Sequence, residues 1–190
     1  MGLDMYLYRA KRVKDVTPRQ LVCVNEYFIY LERPDKYKDS TMKQWCGIDV
    51  SEVDMSLVED YRSEYVKRFY SWDTGKEYGH NSIIEMIADW RKANHIHKWF
   101  VDNVQNGEDD CWYYEVTREQ LEVLLETCKT VINDFRLAES LLPTTSGFFF
   151  GSTDYNKWYL EDVEHTIEVV ENLLDTTDFE NEMIMYHSSW

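Results

Sequence analysis

A chain of 190 residues with 44% hydrophobic and 15% aromatic content is long enough for one domain with a real core, and only three prolines and seven glycines argue against disorder or a fibrous repeat. Twenty Lys and Arg against 36 Asp and Glu give a formal net charge of −16, a field that repels nucleic acid and anionic membrane at long range. No run approaches ~18 consecutive apolar residues, no basic-then-apolar leader opens the chain, and the four cysteines form no CxxC pair. A membrane span, a secretory signal, a zinc knuckle and a redox motif are therefore unsupported, and reduced thiols in a cytoplasmic protein are the expectation.

MGLDMYLYRA alternates, with Leu3, Met5 and Leu7 on one side and Asp4, Tyr6 and Tyr8 on the other, which predicts a strand with one core face. Thr17-Pro18-Arg19-Gln20 has the form of a helix start. The β-branched and aromatic run LVCVNEYFIYL that follows leaves two readings open, one helix or a short turn running into a strand. Residues 34–39 read as a polar loop, and MKQWCGIDVS as a short strand or turn. Leu57, Val58, Tyr61, Tyr65 and Phe69 recur at helical spacing and predict a helix over 57–68. WDTGKEYGHNS, 72–82, reads as a break. Asn81 or Ser82 would then cap a helix of about six turns, carrying Ile83, Ile84, Ile87, Trp90, Val101 and Val104 and ending at Asn106-Gly107.

CWYYEV, 111–116, predicts a short strand, and Thr117-Arg118-Glu119-Gln120 a capping box opening a helix to about Ser140. GFFFGST, 147–153, is a Gly-bounded aromatic strand or loop. Ser152 or Asp154 would cap a last helix reaching about Leu174, and 175–190 reads as a frayed acidic tail. The sum is a helix-rich α+β single domain, with three long helices in the second half and a few short aromatic strands.

Five of the eleven residues of WRKANHIHKWF, 90–100, are basic or can become so, in a chain that is otherwise acidic. On one helix, Arg91, Asn94, His95 and Lys98 follow i, i+3, i+4, i+7 and share a face. Arg offers a bidentate fork to phosphate or carboxylate, so this face would suit an anion. The plainer reading is a solvated helix face paired with surplus acids. His95 and His97 stand about 200° apart on a helix, which argues against a shared metal, and His97, on the apolar side, fits a core histidine. GFFFGST offers glycine, hydroxyls and a helix start, but neither nucleotide fingerprint, GxxxxGK[ST] or GxGxxG, is present. Phe148, Phe149 and Phe150 cannot all face the core of one strand. No nucleophile–base signature, metal set or cofactor motif is legible. From Glu161 to Glu182 there are nine acids (Glu161, Asp162, Glu164, Glu168, Glu171, Asp175, Asp178, Glu180, Glu182) and no Lys or Arg, a solvated face or a docking surface.

MGLDMYL at the start, WRKAN-x-IHKWFVDNVQ in the middle and LLPTTSGFFFGSTDYNKWY near the end resemble a family of small uncharacterised proteins of bacteriophage and bacterial genomes. The resemblance covers most of the chain in three blocks. It implies a soluble, cytoplasmic, phage-type accessory protein, of a kind that interferes with host defence by holding a nucleotide signal or occupying a host protein, and it carries over no catalytic residues.

Three functions follow as expectations. The first is a non-catalytic pocket for a small nucleotide-like anion, built from Asp4, Tyr6, Arg91, Asn94, His95, Lys98, Phe148, Ser152, Thr153, Trp158 and Tyr159. The second is an acidic interaction module or nucleic-acid mimic acting on a host protein through 161–182. The third is an enzyme acting on a nucleotide-like substrate in that pocket. Direct nucleic-acid binding is the least favoured, because the basic island is too small to offset the remaining charge.

Overall fold

The N-terminal alternation produces the strand it predicts. In the computed structural model, which describes residues 2–32, 41–72 and 76–190, β1 is Asp4–Lys11, with Leu3, Met5 and Leu7 fully buried and Asp4, Tyr6 and Tyr8 half-buried on the opposite face. The chain is α+β. It divides into two compact units, residues 1–8 with 87–190 and residues 9–86, and the division falls inside β1 and inside β4 (Ile84–Arg91).

In the 9–86 unit, α1 (Pro18–Glu32) is one helix rather than a turn and a strand. Gln20 and Thr17 close its first turn reciprocally, with the Gln20 N–H on Thr17 Oγ1 and the Thr17 N–H on Gln20 Oε1. Leu21, Val22, Cys23, Val24 and Phe28 are all buried, so packing on several sides overrides the strand preference of its β-branched residues. MKQWC forms α2 (Met42–Cys46), not a strand: Thr41 and Gln44 make a capping box and Gly47 closes the helix at φ +78°.

The expected helix over 57–68 is cut short. α3 (Met55–Asp60) buries Leu57 and Val58, and from Val66 the chain is extended, as β2 (Val66–Trp72). The expected break at 72–82 contains β3 (Lys76–Ser82), antiparallel to β2 with Val66 opposite Ser82 and Trp72 opposite Lys76. The loop expected at 34–39 lies outside the described residues. Asn25, buried on α1, accepts from Ser82 Oγ at 2.8 Å and from the Ile83 N–H at 3.0 Å, which satisfies the backbone where β3 passes into β4.

The six-turn helix expected from 83 is the largest correction. Residues 84–91 are β4, and helix begins only with α4 (Asn94–Asn103). Ala88 and Trp90 are buried while Asp89 and Arg91 are exposed, a period of two hidden beneath the coincidental helical spacing of the isoleucines. Trp90 donates its indole N–H to the buried Thr166 hydroxyl at 3.0 Å.

The second correction concerns the tail. Residues Glu182–Ser189 are β6, and Met183, Ile184, Met185 and Tyr186 are fully buried. With β5 (Tyr114–Val116, shorter than predicted), these strands form a sheet of order β4-β1-β6-β5, so the supposed frayed end lies between β1 and β5. Four consecutive apolar residues are what a strand covered on both faces requires.

The capping box at Thr117 opens α5 (Arg118–Asn133). The helix expected to reach Ser140 breaks at Asp134, whose side chain caps a 3-10 turn ahead of α6 (Ala138–Leu141). The last long helix, α7 (Lys157–Thr176), is capped by Asn156, not by Ser152 or Asp154. α5 and α7 pack together, and α4 packs on α7. Their inner faces meet Leu3, Met5, Leu7, Trp90, Phe100, Ile184 and Tyr186 in one core. GFFFGST is a turn, not a strand: Phe150 packs against that core, Phe149 is half-buried and Phe148 stands 95% exposed.

Candidate functional site

Three backbone segments meet where β4 passes into α4. The Lys92 N–H donates to the Leu3 carbonyl at 2.8 Å, and the Leu3 N–H donates to the Phe149 carbonyl at 3.1 Å. The N-terminal segment thus ties the β4–α4 link to the 144–156 loop. Lys92 adopts φ +62°, a strained position for a residue with a Cβ, and Gly151 backs it at φ +87°, where a Cβ would lie 3.0 Å from Lys92 Cβ.

Asn94, 1% exposed, is the clasp of this arrangement. Its amide donates to the Phe150 carbonyl at 3.0 Å and the Ser152 carbonyl at 2.7 Å, and its oxygen accepts from the Thr145 N–H at 3.0 Å. Ser152 Oγ in turn donates to Asp154 at 2.8 Å, and Thr144 Oγ1 donates to the Thr153 carbonyl at 3.1 Å.

Between the β4–α4 link, this loop and the first two turns of α7 lies a cavity of about 300 Å³. Arg91, Lys92 and His95 of the β4–α4 link and Trp158, Tyr159, Glu161 and Asp162 of α7 line it. Arg91 is 69% exposed, with Nε 3.7 Å from Asp4. No carboxylate among the described residues pairs with Lys92. The first turn of α4 has no side-chain cap, whereas Asn156 accepts from the N–H groups of Trp158 and Tyr159 at the start of α7.

His95 is 3% exposed and stacked on Tyr159, ring centroids 4.0 Å apart. Its Nε2 is buried with no hydrogen-bond partner. Burial pushes its pKa down to about 3, so the imidazole is neutral at physiological pH. Asp162 is half-buried, and among the described residues its carboxyl has no cation or hydrogen-bond donor; burial first, and the Glu161 charge second, push its pKa up to about 7. Glu161 pairs with Lys157 at 2.9 Å. Trp158 is 70% exposed at the rim, with Lys157 Nζ 5.7 Å from its ring centre. The cavity is thus lined by two cations, by the acids Asp154, Glu161 and Asp162, and by an exposed indole.

Of the residues expected from sequence, Arg91, Asn94, His95, Ser152, Trp158 and Tyr159 all line this cavity. They do not do so as a solvated helix face. Arg91 ends a strand, Asn94 and His95 are buried on α4, and the Asn94 side chain is committed to the loop. Asp4 joins only through Arg91. Lys98 pairs with Asp102 at 2.8 Å, and neither it nor Thr153, Phe148 or Tyr6 lines the cavity. Tyr6 belongs instead to the other face of the sheet, in an aromatic group with Tyr8 and His187. Lys92, Thr144, Gly151, Asp154, Asn156, Glu161 and Asp162 line the cavity as well without a sequence signal that marks them as such, apart from the i, i+4 spacing of Trp158 and Asp162.

His97 is the buried histidine its apolar position predicted. Its ring nitrogens lie 2.8 Å from Tyr186 Oη and 3.0 Å from Asp109 Oδ2, which ties α4 to β6 and to the loop before β5. Among the described residues no group of three or more acids, histidines or cysteines is placed to hold a metal. No described helix is long and apolar enough to cross a membrane. The acidic run is also divided. Asp162 turns into the cavity, Glu164, Glu168, Glu171 and Asp175 are exposed along α7, Asp178 accepts from Asn181, and Glu182 starts β6. Compared with known protein families, curated proteins and solved structures, the chain matches none.

Proposed function

We propose that the protein binds a small nucleotide-like anion in this cavity and does not turn it over. One observation carries the reading: residues from the three sequence blocks, far apart in the chain, come together around a single cavity. The second block lines it with Arg91, Lys92 and His95 and the third with Ser152, Trp158 and Tyr159, while the first stands behind them, Leu3 bonded to Lys92 and Phe149 and Asp4 3.7 Å from Arg91. Two cations and the uncapped start of α4 suit a phosphate. An exposed indole suits a base. About 300 Å³ lies at the small end of ligand sites, the size range of a mononucleotide.

The non-catalytic part of the reading is supported by the neutral state of His95. A histidine that stays neutral to about pH 3 is a weak base at pH 7. In the setting that the sequence resemblance implies, such a protein is a phage-type accessory factor that withdraws a nucleotide signal in the cytoplasm.

The test is thermal denaturation with nucleoside mono- and diphosphates and inorganic phosphate, on the native chain and on Arg91→Ala. A ligand at a hundred times its Kd stabilises by about 2.7 kcal/mol, or roughly 5–10 °C for a chain of this size. Arg91 is largely exposed, so its removal costs binding about 1–1.5 kcal/mol, at or below the low end for a charged hydrogen bond. No change of melting temperature with any of these ligands at millimolar concentration overturns the proposal. Mass analysis of the recovered ligand separates binding from turnover.

A further inference from the structure

Asp162 is harder to explain than the cations of the cavity, since an anion site gains nothing from a carboxyl among its lining groups. Asp162 has no protein partner for its carboxyl among the described residues, yet it is half-buried. Such a group is costly to keep unless something completes it. The buried Nε2 of His95, on the cavity wall, is likewise unpartnered.

The position of Asp162 says what would complete it. Trp158 and Asp162 are four residues apart on α7, so their side chains leave the same face one turn apart, and both line the cavity. A planar ring stacked on the indole would present its edge to the carboxyl. A carboxylate is acceptor-only, with two oxygens side by side, and its complement is a pair of adjacent N–H donors. Among the bases, guanine carries that pair at N1 and the 2-amino group. Adenine presents a lone pair at N1 beside its amino group and would meet the ionised carboxylate with repulsion.

Building on the nucleotide-binding reading, we propose that Asp162 is the specificity-determining residue of the cavity and reads the two N–H donors of a guanine-type base, leaving the phosphate to Arg91 and Lys92. The groups that bear on Asp162 are Glu161 on its own helix and, around the cavity, Arg91, Lys92, His95 and Asp154. Two donated hydrogen bonds would favour its ionised form, so binding at pH 7 would release up to about half a proton from it.

The experiment is calorimetric titration at pH 8 with GMP, IMP, AMP and CMP, on the native chain and on Asp162→Asn, whose fold is checked by its melting curve. The native chain should prefer GMP over AMP by about tenfold or more, as a bidentate base contact discriminates. IMP, which keeps N1–H but lacks the 2-amino group, should fall between them. In Asp162→Asn, the amide offers one donor and one acceptor, so the preference should collapse or turn toward AMP while phosphate-driven binding persists. Equal affinity of the native chain for all four nucleotides sinks the assignment of Asp162 and leaves the nucleotide-binding reading standing. So does an unchanged ranking in the folded variant. Failure of every nucleotide to bind overturns both. The native ranking needs no variant and tests the assignment even if Asp162→Asn does not fold.

Discussion

Replacing Asn94 by alanine tests the architecture on which the cavity depends. The substitution removes three hydrogen bonds, of 3.0, 2.7 and 3.0 Å, from a side chain that is 1% exposed. At about 1 kcal/mol each the loss is about 3 kcal/mol. Ser152 is exposed and Thr145 and Phe150 are half-buried, so water can reach part of what is released, and the net cost falls to about 2–3 kcal/mol. Urea unfolding should show this as a midpoint lowered by roughly 1 M at an unchanged slope. Asn94→Asp separates donors from size. It keeps the acceptor for the Thr145 N–H but places a carboxylate against two carbonyl oxygens. Its folded-state pKa must then lie above the unfolded value, so the stability this group contributes is fully present below the unfolded value and is lost as pH rises through the folded pKa. A midpoint shift in Asn94→Ala worth less than about 0.5 kcal/mol, the range of ordinary surface changes, refutes the clasp.

Other outcomes follow from the same geometry. Gly151→Ala forces a Cβ onto a residue at φ +87° and to within 3.0 Å of Lys92 Cβ, and should lower stability by about 1–3 kcal/mol in thermal melts; a neutral result would mean the turn can change its dihedrals freely. Trp90→Phe breaks the buried bond to Thr166 and should cost about 1–2 kcal/mol, with a coupling of at least about 0.5 kcal/mol to Thr166→Val in a double-mutant cycle; strict additivity would count against the bond. His95 and His187 have folded pKa values depressed to about 3 and about 4, and that of His97 is also depressed, all chiefly by burial. Their stabilisation is present above the unfolded value near 6.5 and is lost as pH falls below it. Asp162 opposes this, because its raised pKa favours folding at low pH and that contribution is lost as pH rises toward about 7. Stability should therefore fall from pH 6.5 to 4, and more steeply in Asp162→Asn; a flatter profile in the variant would contradict the buried carboxyl.

Sequence reading succeeded where a local rule and the final packing agreed. Leu3, Met5 and Leu7 alternate because one face of β1 is core, and Thr117 to Gln120 cap a helix whatever lies around them. It failed where two periods competed. Ile83, Ile84, Ile87 and Trp90 fit a helical stripe, while Ala88 and Trp90 against Asp89 and Arg91 carried the strand signal that won. It also failed at β6, whose four buried residues are too short a run to stand out beside acids and whose burial depends on neighbours remote in sequence. The candidate residues came together for a reason independent of the helix first assigned to them. The β4–α4 link sets Arg91, at the end of β4, and His95, in the first turn of α4, against the same cavity. What no pattern revealed was Asn94 as a clasp and Asp162 as an inward acid, because each depends on a loop or a cavity wall that only the folded chain creates.

The position of β6 has a consequence for how the protein is made. β1 hydrogen-bonds to β4 on one side and to β6 on the other, so during synthesis β1 lacks one neighbour until β6, about 170 residues further along the chain, has been made. At ordinary rates of synthesis that interval is roughly ten to thirty seconds. Throughout it, Leu3, Met5 and Leu7 lack part of their cover, and the Leu3 backbone, which ties the cavity walls together, has only some of its partners within reach. Loss of Glu182–Ser189 would remove a central strand, not trim an edge. A chain that lacks β6 should therefore present an open sheet edge to chaperones or to its own copies, and ligand binding should become measurable only once β6 has paired.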